Sequence, residues 1–422
     1  MGYKSLKTRL YLDKKDQRFL LSLMRASKSL YNQALYNVRQ HFFSTKTYLS
    51  YYDNCKLLKD SEHFRYLNSS QAQVVIKKAD EAMKSFFGLL KSNVDQKVKL
   101  PRYLKKDGYY PLIDRMVYKP KSEVYTLPRG NFVKQVSKEL ELIAKKVKKY
   151  NIENDWLEHF YLDIKTPTCI KNKQIKEITI KPLFSGKYIE VIYVYYEEDS
   201  QKDYQGRETM GIDFGYNNLA FCSVTNNSHL LVDGKRLKSM NQFYHKQIAK
   251  LASKRANQNV LTKMMIKKMD KRNQQMDYGI KKAARLIINH ALDNSVGYII
   301  IGYNDNFKDE SLSKVYNQWT KSIPIAKLRD RILYLAQQEN IETKVINEAY
   351  TSKASYLDKD LLVKSEFSGQ RIKRGLYKTK KGILINADQN ASLNMIQKGN
   401  PNAVWIGDKG VNTPKRTYLF GM

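Results

Sequence analysis

Apolar residues recur along this chain with two different periods, and the places where the period changes mark out its elements. Lys4 to Leu12 alternates as a half-buried strand does. From Asp16 to Phe43 the positions Leu20, Leu23, Met24, Ser27, Tyr31, Ala34, Leu35, Val38 and Phe42 recur at steps of three and four, which predicts one long amphipathic helix. A second helix is expected over Ser70 to Lys91, with Ala72, Val75, Ile76, Ala79, Met83 and Phe86 inward and Asn68 or Ser69 as its cap. Lys97 to Met116 is basic, aromatic and broken by Pro101, Gly108 and Pro111, so strands and loops are expected there. Between Tyr118 and Lys149 the pattern predicts only a basic helix from Asn131 onward. EITIKPLFSGKYIEVIYVYYEE then reads as a hairpin turning at Ser185–Gly186.

The polar run Ser200 to Glu208 is the best candidate for a linker, and we place one over 200–209. After it MGIDFGYNNLAFCSV, Met210 to Val224, gives an apolar strand, a turn on Gly215 and Asn217–Asn218, and a second strand from Leu219. His229 to Asp233 adds a third strand, and Gly234 to Arg285 is helical in period. Val296 to Gly302 is a continuous apolar run bounded by glycines, the mark of a buried central strand. Ser322 to Asn340 reads as a helix with Pro324 near its first turn and Ile325, Leu328, Ile332 and Leu335 inward; Ile341 to Ile346 follows as a strand. Such a strand–helix–strand crossover should be parallel and right-handed. Lys353 to Lys381 looks like an insertion, held by Tyr356, Leu357, Leu361, Phe367 and Leu376, or by nucleic acid against Arg371, Lys373 and Arg374. Asn386 is placed to cap a helix over Ala387 to Gln397, and Asn400 to Met422 is expected to be a loosely attached tail.

Charge narrows the function. Lys and Arg number 75 against 41 acids, a formal net charge of +34 over 422 residues, spread along the chain rather than gathered at one end. Self-repulsion of that size calls for a polyanion, and nucleic acid is the usual one. A ribosomal or histone-like binder would carry the same charge, but 42% hydrophobic residues with 31 Tyr and 15 Phe imply globular cores, and aromatics among cations suit stacking on unpaired bases. The 15 Lys and Arg between residues 233 and 285 face only Asp233, Asp270 and Asp277, so that helical face suits a grip on phosphates. Cys55, Cys169 and Cys222 are too scattered for a disulfide framework or a zinc ribbon. No apolar run reaches membrane-spanning length, and the expected setting is the cytoplasm, on the nucleoid, with no membrane partner.

Three acids stand at the ends of regular elements: Asp213 in the first hairpin, Glu348 beyond the strand in VINEAYTSK, and Asp388 opening a helix in INADQNASLNM. Two of them have a structural explanation of their own. Asp213 would be satisfied by the amides of its turn, and Asp388 would cap a helix. As a set they supply hard oxygen ligands suited to divalent metal.

GIDFGYNNLA, EAYTSKAS and NADQNASLN resemble the RuvC-like nuclease domain of TnpB proteins, the transposon-encoded RNA-guided DNA endonucleases related to type V CRISPR effectors. The resemblance runs from Met210 to about Lys398 by motif and extends more loosely to LYNQALYNVRQHFF and KLPRYLKKDGYYPL. It implies an α/β nuclease domain of RNase H-like (RuvC) fold at 210–398 with a basic insertion at 350–385, and a tail at 399–422. It also implies an N-terminal β-rich wedge domain, 1–15 with 92–199, carrying an inserted helical recognition domain at 16–91. The family's second acid usually ends the strand that here closes at Gly302. A branch with a relocated glutamate carries it before YTSK, where Glu348 stands; parallel neighbours end ~4.8 Å apart, so Glu348 can point at the space that Gly302 vacates. Glu310 is the rival, several residues into a loop.

What the resemblance then implies is catalysis by Asp213, Glu348 and Asp388 as ligands of two Mg²⁺ ions ~4 Å apart, one activating water and one stabilising the departing oxygen. Expected partners are a guide RNA from the transposon end (omega RNA) and double-stranded target DNA read beside a short motif. No structural zinc is expected, because the four cysteines that often hold the insertion in this family are absent. Two alternatives stay open: a nuclease-inactive, RNA-guided transcriptional repressor, and an RNA-free RuvC-like enzyme or transposase.

Overall fold

A computed structural model describes residues 2–92, 98–115, 124–128, 130, 162–198, 203–255, 257, 260–304, 322–364, 366–403 and 413–420. The helix expected from Asn131 and the rival acid Glu310 lie outside them. The chain divides into two compact units, Met1–Asp199 and Ser200–Met422.

In the first unit, β1 (Gly2–Leu10) is followed by the helices α1 (Lys14–Thr45), α2 (Tyr51–Leu58), α3 (Glu62–Tyr66) and α4 (Ser69–Lys91), and then by β2 (Leu112–Asp114). The strands β3 (Val124–Thr126) and β4 (Asp163–Lys165) pair with each other, and β5 (Ile175–Leu183) and β6 (Tyr188–Glu197) form the expected hairpin. Ser and Asx side chains start each of these four helices: Asp13 caps α1, Ser50 α2, Ser61 α3 and Asn68 α4. The two short helices, α2 and α3, went unread because eight and five residues carry too few turns for a period. β1 pairs antiparallel with β6, so the sheet β1-β6-β5-β2 joins the start of the unit to its end and the helices enter between its strands. They do not form a core of their own. Leu20, Leu35, Val75 and Met83 share one buried cluster with Ile178, Ile180, Val191 and Tyr193. The Asn32 side-chain amide, donating to the Leu104 carbonyl and accepting from the Leu104 amide, with Ser27 Oγ donating to the Pro111 carbonyl, ties α1 to the segment leading into β2.

The second unit is built on a six-stranded sheet. β7 (Glu208–Phe214), β8 (Asn218–Val224) and β9 (His229–Asp233) form an antiparallel meander, followed by α5 (Lys235–Ala252) and α6 (Lys263–Asp293). The basic run is therefore two helices rather than one. β10 (Val296–Gly302) lies parallel to β7; α7 (Ile325–Gln338) then crosses to β11 (Glu342–Ile346), parallel to β10. A small sheet of β12 (Gln370–Lys373), β13 (Leu376–Lys378) and β14 (Leu384–Asn386) precedes α8 (Ala387–Gly399), and β15 (Lys415–Tyr418) closes the sheet order β11-β10-β7-β8-β9-β15.

Strand alternation decides which residues meet which helix. Met210, Ile212 and Ile301 join Ile280, Ile287 and Leu328 of α6 and α7 in one core. The opposite parity, Gly211, Ser223, Ile300 and Gly302, meets α8: Ser223 Oγ is 2.6 Å from Ser392 Oγ, and Ile300 lies against Gly399. Gly211 is what lets α8 come down, since a Cβ there would lie 2.2 Å from the Ser392 carbonyl oxygen.

Three expectations are corrected. The described end of the tail, residues 413–420, is not loosely attached: β15 pairs with β9, Arg416 bonds Asp233, and Leu419 is 1% exposed. Its strand carries no apolar alternation, because pairing with β9 and the Arg416–Asp233 contact hold it at the sheet edge and the apolar anchors, Leu419 and Phe420, come after it. The linker ends earlier than 209, because Glu208 and Thr209 already belong to β7, paired with Val296 and Tyr298. In the insertion Leu361 is 73% exposed, and Tyr377 is the buried anchor, its hydroxyl donating to the Lys353 carbonyl at 2.8 Å. Carboxylates do the remaining work of order there. Asp360 accepts from the amides of Ser355 and Ser368 at 2.8 and 3.0 Å, and Asp358 from the Lys380 amide at 2.8 Å.

Candidate functional site

The site lies on the α8 side of the sheet. β7 carries the parity of Gly211 on to Asp213, opposite Phe221 of β8. Among the described residues no hydrogen bond reaches the Asp213 carboxylate, so the turn that follows does not satisfy it. That turn is held by other groups, the Gly215 amide on the Leu219 carbonyl and the Gly234 amide on that of Asn217.

Asp388 opens α8, but it is not the cap. The Asn386 side-chain oxygen accepts from the amides of Asp388 and Gln389, which leaves the Asp388 carboxylate for contacts off the helix. It receives the Asn218 amide at 2.7 Å and faces Arg371 Nη2 at 3.9 Å.

Glu348 stands two residues beyond Ile346, which is the register partner of Gly302. A Cβ at residue 302 would lie 3.5 Å from Glu348 Cβ, so the glutamate side chain leaves the backbone beside the position where an acid on β10 would begin. The rest of that space is filled by the Met395 thioether, whose methyl would be 2.3 Å from such a Cβ. The loop holding Glu348 is itself tied to α8. Asn394 Nδ2 donates to the carbonyls of Thr351 and Ala354, Asn390 Nδ2 to Ala354, and the Tyr356 amide to Asn390 Oδ1. The two motifs EAYTSKAS and NADQNASLN are therefore bonded to each other along their length, which fixes Glu348 relative to Asp388.

The three acids feel one another. Although part of Asp213 reaches the surface, burial drives its carboxyl well above the usual carboxylate range; Asp388 and then Glu348 add to this by like-charge repulsion, and Arg371 opposes it. Among the described residues no group of three His, Cys, Asp or Glu side chains is drawn close enough to clasp a metal ion. The donor chemistry nonetheless fits one class of ion: three carboxylates, with no imidazole or thiolate among them, whose mutual repulsion a divalent hard cation would relieve. Sequence reasoning took Asn218 for a turn residue and Arg371 for a nucleic-acid contact; both reach Asp388. No local pattern signals a pairing across 170 residues.

A family model described as a probable transposase, OrfB_IS605, matches residues 192–307, which span Asp213 but neither Glu348 nor Asp388. The chain is 26% identical, over 91% of its length and 84% of the relative's, to the TnpB-like protein ORF457 of Acidianus two-tailed virus. The solved structure of a Cas12f1 in complex with sgRNA and target DNA has a similar fold, with a TM-score of 0.58 at 15% identity, covering 92% of this chain and 83% of that one. The chain is thus similar to a TnpB-like protein over most of its length, and part of it, including the GIDFGYNNLA motif, matches the probable-transposase model. Among the described residues no helix is long and apolar enough to cross a membrane.

Proposed function

We propose that this chain is a transposon-type RNA-guided DNA endonuclease. The observation that carries the reading is that three separate elements bring Asp213, Glu348 and Asp388 to the same edge of the sheet, Glu348 beside Gly302 and Asp388 on the Asn218 amide of the strand that pairs with β7. The second unit is then the RNase H-like (RuvC) nuclease domain. The four-stranded sheet of the first unit is the wedge and its helices are the recognition module.

Asp213, Glu348 and Asp388 would hold Mg²⁺, which when bound supplies a nucleophilic water and charge stabilisation for phosphodiester hydrolysis. The chain's own groups set the stage. Asn218 orients one Asp388 oxygen, Asn390 and Asn394 hold the Glu348 loop against α8, and Arg371 offers a cation to a phosphate at the same edge. The net charge of +34 supports nucleic-acid partners, and the likeness to TnpB-like and Cas12f1 proteins supports a guide RNA and a DNA target in particular. Gly302 alone would favour the nuclease-inactive reading, but the position of Glu348 beside it favours cutting.

The test is to express the chain beside its native flanking DNA, sequence the RNA that co-purifies, and offer matched double-stranded DNA with Mg²⁺. A defined bound RNA and cleavage dependent on the match are expected. A bound RNA without cleavage would select the repressor, and a protein free of any defined RNA would not be guided by one.

A further inference from the structure

The helical module carries a second feature that the cutting reading leaves unused. Where the ends of α1 and α4 meet there is a cavity of about 470 Å³ walled by Phe42, Tyr48 and Phe87. This lies within the range of ~300–1,000 Å³ common for small-ligand clefts. The rings are set as a corner: Phe42 and Phe87 have centroids 4.9 Å apart, and Tyr48 meets Phe87 edge-on at 5.9 Å. Lys46, Lys84 and Lys91 ring the mouth. Lys84 is paired with Asp80 at 2.9 Å, whose other carboxylate oxygen receives the Tyr48 hydroxyl at 2.7 Å. Lys46 and Lys91 have no ion-pair partner among the described residues.

Gly88, inside α4, completes the rim. A glycine within a helix costs ~0.5–1 kcal/mol relative to alanine. Here nothing structural asks for it: a Cβ would meet no atom within 4 Å, and its backbone is not in the left-handed region. Its missing side chain leaves that side of the cavity open.

We propose that this cavity takes an unpaired nucleobase of single-stranded RNA, stacked on the aromatic corner, with its flanking phosphates on Lys46 and Lys91. This rests on the nucleic-acid reading above and names a binding site for it. Aromatic faces with surrounding cations are the elements of single-strand recognition, and paired DNA offers no free base to such a corner before it is opened.

The full-length protein is titrated into a short single-stranded oligoadenylate RNA carrying one 2-aminopurine, into the DNA strand of the same sequence, and into duplex DNA. Quenching of the 2-aminopurine is expected on the RNA. Gly88→Leu, which fills the cavity, should weaken RNA binding roughly tenfold, within the range for losing one base–aromatic stack. Its melting temperature should stay equal or rise, since the substitution favours the helix, and duplex binding should be unchanged. Lys46→Ala with Lys91→Ala should lower the salt slope of RNA binding by about 1.4, two single-strand phosphate contacts. Unchanged RNA affinity in Gly88→Leu, or an equal loss on duplex DNA, overturns the pocket while the guided-nuclease reading stands. Quenching stronger on the DNA strand overturns the choice of RNA. A wild-type protein that binds no RNA overturns both.

Discussion

Glu348 leaves the backbone beside Gly302, its Cβ 3.5 Å from where a side chain at residue 302 would start, and the Met395 methyl closes the remaining gap. An acid thus stands beyond the end of β11, beside the bare end of the neighbouring parallel strand β10, and Met395 fills the space at Gly302. Glu348→Gln should therefore lower Mg²⁺-dependent DNA cleavage by roughly 10²-fold or more, the rate equivalent of several kcal/mol of lost charge stabilisation. Gly302→Asp added to Glu348→Ala should not restore cutting while Met395 blocks the site. Shortening Met395 to Ala in that background should restore part of it, as single-turnover cleavage would register. Full activity in Glu348→Gln would remove this residue from the site.

The raised Asp213 carboxyl makes a prediction about stability and ions. A carboxyl whose folded pKa lies above its unfolded value binds more protons in the folded state, so its contribution to stability falls as pH rises from the ordinary carboxylate range through the raised one. At neutral pH without divalent ions, Asp213 thus costs stability. Asp213→Asn should melt higher than the wild type in EDTA. Mg²⁺ or Mn²⁺ should raise the wild-type melting temperature and leave that of the variant nearly unchanged. Equal ion responses in the two proteins would contradict the assignment.

Two buried histidines predict acid sensitivity in the same unit. Burial, with the charge of His290, pushes His229 down to about 4; burial, with Lys415, pushes His290 down to about 4. Between the ordinary histidine value of 6.5 and about 4 the unfolded chain therefore binds more protons than the folded one, and stability falls with pH across that window. His229 lies 2.9 Å from the Gln389 amide, next to Asp388, so acid should loosen α8 against the sheet before it unfolds the rest. Denaturant midpoints should fall from pH 6.5 to 4. His290→Leu should remove about one proton from the slope.

The sequence made some of this plain and hid the rest for identifiable reasons. Long periodic elements were legible: α1, α4, the β5–β6 hairpin and the β10–α7–β11 crossover lie where alternation and three- and four-residue steps place them. The parity of β7 also says which face Asp213 takes. Period, however, names a face and not the neighbour across it. Nothing local in NNLA marks Asn218 as the partner of Asp388, and nothing in QRIK marks Arg371 as the cation over the acids. Short helices such as α2 and α3 gave no period, and the edge strand KRTY gave no alternation, because its apolar anchor Leu419 comes after the strand and not within it.

That last strand supports a prediction of its own. Leu419 is buried against the core formed by β7–β10 and α6, and Phe420 packs beside it. Replacing a buried leucine with alanine costs about 2–5 kcal/mol, through lost transfer energy and the cavity left behind. Leu419→Ala should therefore lower the unfolding free energy of this unit by that order, whereas the same change at exposed Leu361 should be nearly silent. Arg416→Ala should add a smaller loss, because Asp233 is 5% exposed and would be left without its cation. Chemical denaturation of the three variants checks the order; a Leu419→Ala protein as stable as the wild type would mean that this strand does not belong to the sheet in solution.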